Sequence, residues 1–267
     1  MIPGKVSSIS YCSFLGCTSL GSVTFKGNKL EFLSSSLFEK TNIKTIKIPD
    51  SVKVIYSGAF EDCYQLESVT IPNSVETIES SAFRDCKSLK KIEFDEKKSN
   101  LSRLDFFAFS GCESLKEAVL PEKLTYLSEQ CFYGCSSLSK VYMPHGLNEF
   151  GKMVFYNCDF DKLTLYVYED SMSQTYAYEH NIKYQSRGEY DPYLGYMIGD
   201  VDADNEITSS DSLLILRYSV GLEPLTKTQK KLANVNGDSS ADSADALAVL
   251  RYSVGYKDKN KIGNILE

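Results

Sequence analysis

The sequence predicts an α/β solenoid, built from parallel strands and short helical turns, followed by a small all-α domain. Two observations carry this prediction. A repeat of 22 to 26 residues fills the first two thirds of the 267-residue chain, and a duplicated acidic loop with a helix behind it fills the end. We place the solenoid with its C-terminal cap at residues 1–185, a linker at 186–197 and the second domain at 198–267.

Every copy of the repeat follows one template, in which a cysteine lies three residues after a phenylalanine and a leucine three residues after that. The clearest copies are FEDCYQLESVTIP (60–72), FRDCKSLKKIEF (83–94), FSGCESLKEAVLP (109–121) and FYGCSSLSKVYMP (132–144), with weaker ones from Phe14, Phe38 and Phe155. The leucine opens an alternating apolar run that predicts one short strand per coil. Because one coil cannot bury its own apolar face, neighbouring coils have to stack.

The side of each coil opposite the strand is predicted to hold a helical or 3₁₀ turn, because Ile78, Ala82 and Phe83 are irregularly spaced. The tyrosine-rich segment 166–196 predicts a cap of strand, short helix and strand, with carbohydrate binding as the alternative. Outward-pointing strand residues should line a concave face of mixed charge that identifies no ligand; they are Thr45, Lys47, Ser68, Thr70, Lys91, Glu93, Glu117, Val119, Lys140 and Tyr142.

Six of the eight cysteines share the template position, and we expect them to be reduced core thiols. They are Cys17, Cys63, Cys86, Cys112, Cys135 and Cys158. The strand spacing would bring their Cα atoms close enough for disulfides, which stay the alternative. Neither His145 nor His180 is spaced to activate a thiol, and carboxylates such as Asp85 and Glu113 lie on scattered coils, so we expect no enzyme.

The Phe-x-x-Cys-x-x-Leu template resembles the BspA-like leucine-rich repeats of bacterial surface and secreted proteins, over residues 2–168. The resemblance implies a leucine-rich-repeat solenoid that serves as an adhesin, a scaffold or a binding arm. Residues 2–9 align with residues 48–55, inside a coil. Further coils and a secretion signal are therefore expected upstream of Met1.

Composition argues against two classes of partner. The formal net charge of −7 leaves no basic surplus for nucleic acid, and the chain has no run of 18 apolar residues that could span a membrane.

Two acidic windows of 12 residues, DVDADNEITSSD (200–211) and NVNGDSSADSAD (234–245), begin 34 residues apart, and the same helix pattern follows each. Oxygen donors at positions 1, 3, 5, 7, 9 and 12 of such a loop suit Ca²⁺, with Mg²⁺ and plain solvated turns as alternatives. Loop one (200–211) offers Asp200, Asp202, Asp204, the Glu206 carbonyl, Thr208 through water, and Asp211. Loop two (234–245) offers Asn234, Asn236, Asp238, the Ser240 carbonyl, Asp242 and Asp245.

The sequence predicts two Ca²⁺ ions, bound more tightly in loop one because that loop has more carboxylates at the ligand positions. Position 6, which is usually glycine, holds Asn205 and Ser239. Serine tolerates positive φ poorly, so strain is expected in loop two. Since the domain is small, bound Ca²⁺ should supply much of its folding free energy.

A duplicated loop-then-helix unit, with no helix predicted before loop one, resembles the type I dockerin over residues 198–257. The resemblance implies calcium-dependent docking onto a cohesin domain of a scaffoldin, outside the cell, in the cellulosome of an anaerobic bacterium. Whether docking uses one orientation or two stays open. By position, the implied cohesin-binding residues are Ser209, Ser210, Leu213, Leu214 and Arg217, and their equivalents Ser243, Ala244, Leu247, Ala248 and Arg251.

One apolar stripe on each helix is expected to face the core of the second domain. The stripes are Leu213, Leu216 and Val220 on the first helix, and Leu247, Leu250 and Val254 on the second. The second helix is expected to begin at Ala246.

The leading interpretation is a non-catalytic, secreted cellulosomal protein whose dockerin displays a leucine-rich-repeat binding arm of unknown ligand. The alternatives are an adhesion protein whose repeats bind protein or polysaccharide, a solenoid that is only a spacer, and a calcium sensor.

Overall fold

The computed structural model describes residues 1–96, 98–188, 197–204, 206–256 and 262–264. The chain divides into two compact units, residues 1–190 and 191–267. Most of the predicted linker at 186–197 lies outside the described residues, and so does Asn205.

Unit one is a solenoid with two parallel sheets, whose strands are numbered along the chain. The longer strands form an eight-stranded sheet. They are β1 (Ser22–Val23), β3 (Thr45–Lys47), β5 (Ser68–Thr70), β7 (Lys91–Glu93), β9 (Glu117–Val119), β11 (Lys140–Tyr142), β13 (Thr164–Val167) and β14 (Lys183–Ser186). Equivalent residues pair in register, as Ile46 does with Val69 and Val69 with Ile92.

The opposite side of the coils carries a second sheet, where the sequence predicted helical turns. Its six strands are β2 (Phe32–Leu33), β4 (Val54–Ile55), β6 (Thr77–Ile78), β8 (Arg103–Leu104), β10 (Tyr126–Leu127) and β12 (Glu149–Phe150). The segment after each strand is a series of turns. Its amides alternate: Phe60 N–H donates to the Ala82 carbonyl of the next coil at 2.8 Å, whereas Glu61 N–H donates to the Gly58 carbonyl three residues back. Because bonds between coils interrupt the local ones, the segment stays a series of single turns rather than a helix.

Two residues in each coil have left-handed backbone conformations, one two positions before the template phenylalanine and one two positions after it. The later position is filled mostly by glycine, aspartate or asparagine, which tolerate positive φ best. The fourteen residues are Cys12, Gly16, Ser36, Lys40, Gly58, Asp62, Ser81, Asp85, Phe107, Gly111, Gln130, Gly134, Met153 and Asn157.

The template phenylalanines form one continuous stack through the solenoid, from Phe14 to Phe155. Neighbouring ring centroids are 5.0 to 5.7 Å apart and the rings are nearly parallel. All of them except Phe14 are fully buried. The stack therefore forms the centre of the core.

The template cysteines satisfy the carbonyl groups of this stack. The Cys86 thiol, for example, donates to the Phe60 carbonyl of the preceding coil at 3.2 Å, and four other thiols repeat the contact. Thr41 takes the cysteine position in the second coil and donates to the Phe38 carbonyl. All the cysteines are free thiols, and Cys17, in the first coil, is exposed rather than buried.

The cap has the predicted order of strand, helix and strand: β13, α1 (Met172–Glu179) and β14. Tyr176 packs on Phe150, with ring centroids 4.2 Å apart, and edge-on against Phe155. Tyr178 and Tyr184 are exposed. Among the described tyrosines of this segment, Tyr176 is therefore the one that packs against the end of the phenylalanine stack.

Unit two contains α2 (Ser209–Ser219), α3 (Lys227–Ala233) and α4 (Ser243–Ser253), so the last helix begins three residues before the predicted Ala246. α2 packs against α4, and α3 leads directly into loop two. The Ser212 hydroxyl donates to the Ala246 carbonyl at 2.7 Å inside this contact. The core is small and contains Val201, Ile215, Leu225, Leu232, Ala233, Val235, Ala241, Ala246, Ala248 and Val249.

We expect Gly134→Ala to lower the free energy of unfolding by about 1 to 2 kcal/mol, because Gly134 has φ +68° and a Cβ is disfavoured there. A Cβ at Gly134 would meet no atom closer than 3.9 Å, so steric crowding does not contribute. Gly21→Ala is the control, since Gly21 is not left-handed and has similar free space. Urea unfolding of both variants measures the difference; equal losses would contradict the assignment.

Candidate functional site

Three carboxylates of loop one converge. One oxygen from each of Asp200, Asp202 and Asp204 lies within 4.8 Å of the others. Oxygens that share one Ca²⁺ at about 2.3–2.6 Å can be up to about 5 Å apart. Positions 1, 3 and 5 of loop one are therefore close enough to share one cation, and calcium binding by these residues stays a prediction.

The clustered carboxylates of loop one affect the pKa of Asp202. Partial burial, and next the carboxylates of Asp211 and Asp204, raise the pKa of Asp202. Like charges at this distance disfavour the ionised form, and a cation between them removes that cost.

Asp211, at position 12, closes loop one onto the start of α2. Its Oδ1 accepts the backbone N–H groups of Val201 at 2.6 Å and Asp202 at 3.1 Å, and its Oδ2 accepts that of Thr208 at 2.9 Å. Thr208 is the N-cap of α2, and its hydroxyl accepts the Ser210 N–H. These two predicted ligands thus also form a capping box, which fixes the loop against the helix.

Loop two repeats this closure. The buried Asp245 accepts the N–H groups of Val235 and Asn236 on Oδ1 and that of Asp242 on Oδ2, each at 3.0 Å. Asp242 takes the N-cap role of Thr208 and accepts the Ala244 N–H. The two loops differ at positions 1 and 3, where aspartates are replaced by asparagines.

The expected strain at position 6 of loop two is not present. Ser239 does not have positive φ; within the described part of both loops the left-handed residues are Ala203 (φ +63°) and Gly237 (φ +76°), at position 4. In loop two the sharp turn therefore lies two residues earlier than expected, and a glycine occupies it. Loop one has the less suited residue, alanine.

The apolar stripes predicted to be buried are exposed instead. Leu213, Leu216, Val220, Leu247, Leu250 and Val254 are each between 41 and 67% exposed. The helices contact each other through Ile215, Ala246 and Val249. Each helix has two apolar stripes, and the small residues Ser212 and Ala246 allow the other one to form the contact.

The predicted docking residues mostly lie on this exposed side. Ser209, Ser210, Leu213, Arg217, Ser243, Ala244, Leu247 and Arg251 are exposed. Leu214 is half-buried and Ala248 is buried, so these two offer less surface to a partner than the other eight. Leu216, Val220, Leu250 and Val254 were missed as surface residues. The sequence did contain a signal for their exposure, because the same leucines and valines recur at equivalent positions of both halves. We call the six exposed leucines and valines the apolar stripe.

The predicted concave face, on the eight-stranded sheet, mixes charged and uncharged side chains and has one aromatic pair. Lys91 pairs with Glu93 at 2.7 Å, and the Thr70 hydroxyl donates to Glu93. Tyr142 and Tyr166 stack with centroids 4.4 Å apart. The sequence prediction of mixed charge missed this pair, because only in-register stacking shows it.

An ion-pair cluster joins the end of β14 to two earlier coils. The Arg187 guanidinium contacts Glu96 at 2.6 Å and lies over the Tyr168 ring at 4.4 Å. The Tyr168 hydroxyl donates to Glu122 at 3.0 Å. Burial raises the pKa of Glu122, despite the nearby Arg187. The cluster ties the cap to the solenoid.

Burial also raises the pKa of the core thiols at Cys63, Cys86, Cys112 and Cys135, and that of Cys158 to about 12. A thiol that stays protonated is a poor nucleophile.

The molecule thus combines a parallel solenoid of stacked 22- to 26-residue coils with a small unit of duplicated acidic loop and helix. The chain belongs to the BspA-type leucine-rich repeat family: six copies of the family model match residues 1–106 and 55–184. The model of the dockerin type I domain matches residues 198–252.

Several solved structures are similar. A leucine-rich repeat protein from Bacteroides ovatus is 26% identical over 62% of this chain, with a TM-score of 0.47, and the chain covers 48% of its length. The T. pallidum leucine-rich repeat protein is 19% identical, with 71% of this chain and 79% of that one covered and a TM-score of 0.38. A leucine-rich cell surface protein from Faecalibacterium prausnitzii is 21% identical, with 65% and 66% covered and a TM-score of 0.35. None of the curated proteins matches the chain.

Both families are of non-catalytic kinds. Type I dockerin domains generally bind calcium and dock onto cohesins, and both kinds of domain indicate extracellular or cell-surface proteins. In the part of the chain that the structure describes, every helix is too short or too polar to cross a membrane.

We expect Asp245→Ala to lower the stability of unit two by about 2 to 3 kcal/mol, because three backbone N–H groups lose a buried charged acceptor. Ser243→Ala, at an exposed neighbouring position, should change it by less than about 0.5 kcal/mol. Hydrogen exchange of peptides from 197–256, in saturating calcium and increasing urea, measures both. Similar values for the two variants would contradict the structural role of Asp245.

Proposed function

We propose that this protein is a non-catalytic component of a cellulosome, secreted by an anaerobic bacterium. Its dockerin docks in a calcium-dependent way onto a cohesin domain of a scaffoldin and displays the solenoid as a binding arm. The observation that carries the proposal is the apolar stripe, which places three large aliphatic side chains at equivalent exposed positions of α2 and α4.

The stripe has the composition of a protein contact rather than of a solvated helix face. Large exposed apolar side chains grouped on one small unit mark interaction sites. Arg217 and Arg251 flank the leucines on both helices, and arginine is enriched in interfaces. The recurrence in both halves gives α2 and α4 similar surfaces.

Calcium supplies the positive charge that loop one lacks. Its three converging carboxylates would hold the ion, and Asp211 ties the same loop to the first turn of α2, where Ser209 and Ser210 are exposed. An ordered loop one therefore helps to hold the first turn of α2 in place. With fewer carboxylates, loop two is the weaker of the two sites.

The solenoid is the displayed arm, and a protein or a polysaccharide is its proposed class of ligand. The Tyr142–Tyr166 pair on the concave face favours binding over a purely spacing role, because aromatic side chains are enriched where proteins bind their partners.

Replacing two stripe residues should abolish docking. We expect full-length Leu216→Asp/Leu250→Asp to bind its cohesin at least about thirty-fold more weakly than the unaltered chain, because a charge would have to be buried in the contact. Met172→Asp, at a half-exposed position of the cap helix, is the matched control and should bind normally. Binding to a panel of immobilised cohesins is measured by surface plasmon resonance. Undiminished binding of the double variant would refute the docking surface.

Chelation tests the calcium dependence separately. In EDTA the unaltered chain should lose cohesin binding, and excess calcium should restore it, because the carboxylates of loop one repel one another without the ion. The same panel and method apply. Equal binding in EDTA and calcium would overturn the calcium dependence without affecting the stripe.

A further inference from the structure

We propose that loop two is closed by its own side-chain amides and stays free of metal, so that the dockerin unit takes up one calcium ion, in loop one. This inference rests on the calcium binding proposed above and replaces the two-ion expectation. It concerns the asparagines at positions 1 and 3 of loop two, Asn234 and Asn236.

The amide orientations in loop two are fixed by their partners. Asn234 Oδ1 accepts the Gly237 N–H at 2.9 Å, while its Nδ2 donates to the Asp238 carbonyl at 2.7 Å. Asn236 Oδ1 accepts the Asp238 N–H at 2.8 Å. A carbonyl cannot donate and a backbone N–H cannot accept, so both Nδ2 groups point across the loop.

These amides take the place that a cation would need. Asn236 Nδ2 donates to Asp238 Oδ2 at 3.0 Å, and Asp238 Oδ1 accepts the Ser240 N–H at 2.9 Å. Both oxygens of the position-5 carboxylate are thus engaged inside the loop. Loop one makes similar backbone bonds, from Asp204 N–H to Asp200 and Asp202 and from Glu206 N–H to Asp204. Its aspartates at positions 1 and 3 are acceptors only when ionised, so they have no N–H to donate across the loop.

The charges around the two loops also disfavour a metal ion in loop two. Positions 1, 3 and 5 carry three carboxylates in loop one and one in loop two. Lys230 and Lys231, at the end of α3, line a cavity of about 490 Å³ together with Asn234 and Ser240. Positive charge beside the loop opposes the entry of a divalent cation. The positions of the first repeat that correspond to these lysines are Tyr196 and Met197, which are uncharged.

The test counts bound calcium directly and does not depend on cohesin. Isothermal titration and native mass spectrometry of the full chain should give one ion. Asn234→Asp/Asn236→Asp, which gives loop two the carboxylates of loop one, should raise the ratio to two. Asp200→Asn/Asp202→Asn, which gives loop one the amides of loop two, should lower it to zero.

A charge-matched control separates amides from electrostatics. Lys230→Gln/Lys231→Gln changes the net charge near loop two by the same two units and leaves the asparagines in place, so its ratio should stay at one. Circular dichroism confirms that each variant retains its helices. A ratio of two in this control would show that charge, rather than amide closure, excludes the ion, and would overturn the proposal.

The remaining possible calcium counts also test the inference. Two ions on the unaltered chain would overturn this inference and leave the proposed function intact. One ion that persists after the loop-one replacement would place it in loop two and overturn the inference as well. No ion at all would instead refute the calcium dependence of the proposed function. A folded Asn234→Asp/Asn236→Asp variant that still binds one ion would refute the role of the amides.

Discussion

The constraint on which both units depend is that a single repeat cannot bury its own apolar side chains. A coil of the solenoid cannot pair its own backbone either. In the solenoid, each coil receives the phenylalanine ring of the next coil and donates amides to its carbonyls. In unit two, the two loop-helix halves are held together by the contact of α2 with α4. Stability in such molecules is a property of contacts between neighbours.

Much of the solenoid could be predicted from the sequence, because its period repeats and its register fixes the face of every residue. The phenylalanine spacing and the alternating run after each leucine determine the stack and the main sheet. The second sheet was missed because its strands are only two residues long, as at Val54–Ile55, and such short segments have no measurable periodicity. Their structure comes from backbone pairing with neighbouring coils, which is a tertiary effect.

Helices α2 and α4 show what periodicity alone cannot predict. α2 and α4 each have two apolar stripes, and spacing alone cannot say which one faces the core. In the structure, side-chain size decides which stripe is buried. The small residues Ser212 and Ala246 let the helices approach closely, so Ile215 and Val249 fill the core and the leucines remain in solvent. An expected buried stripe thereby becomes the surface that the proposed docking needs. The duplication did indicate which kind of surface to expect. Both halves have a second apolar stripe, and the core of so small a unit cannot bury two stripes on each helix.

The loops show the opposite case, in which the ligand spacing was read from the sequence but the local chemistry was not. Asp211 and Asp245 are placed alike and each organises three backbone N–H groups, so the fold of a loop and its affinity for metal are separable. A carboxylate that caps a helix stabilises the loop whether or not an ion is present. Amides at positions 1 and 3 can then substitute for the ion's bonds at little cost, because an amide is both donor and acceptor. With asparagines at positions 1 and 3 of loop two, the unit keeps two matching helices, while under the proposed one-ion state only loop one requires calcium.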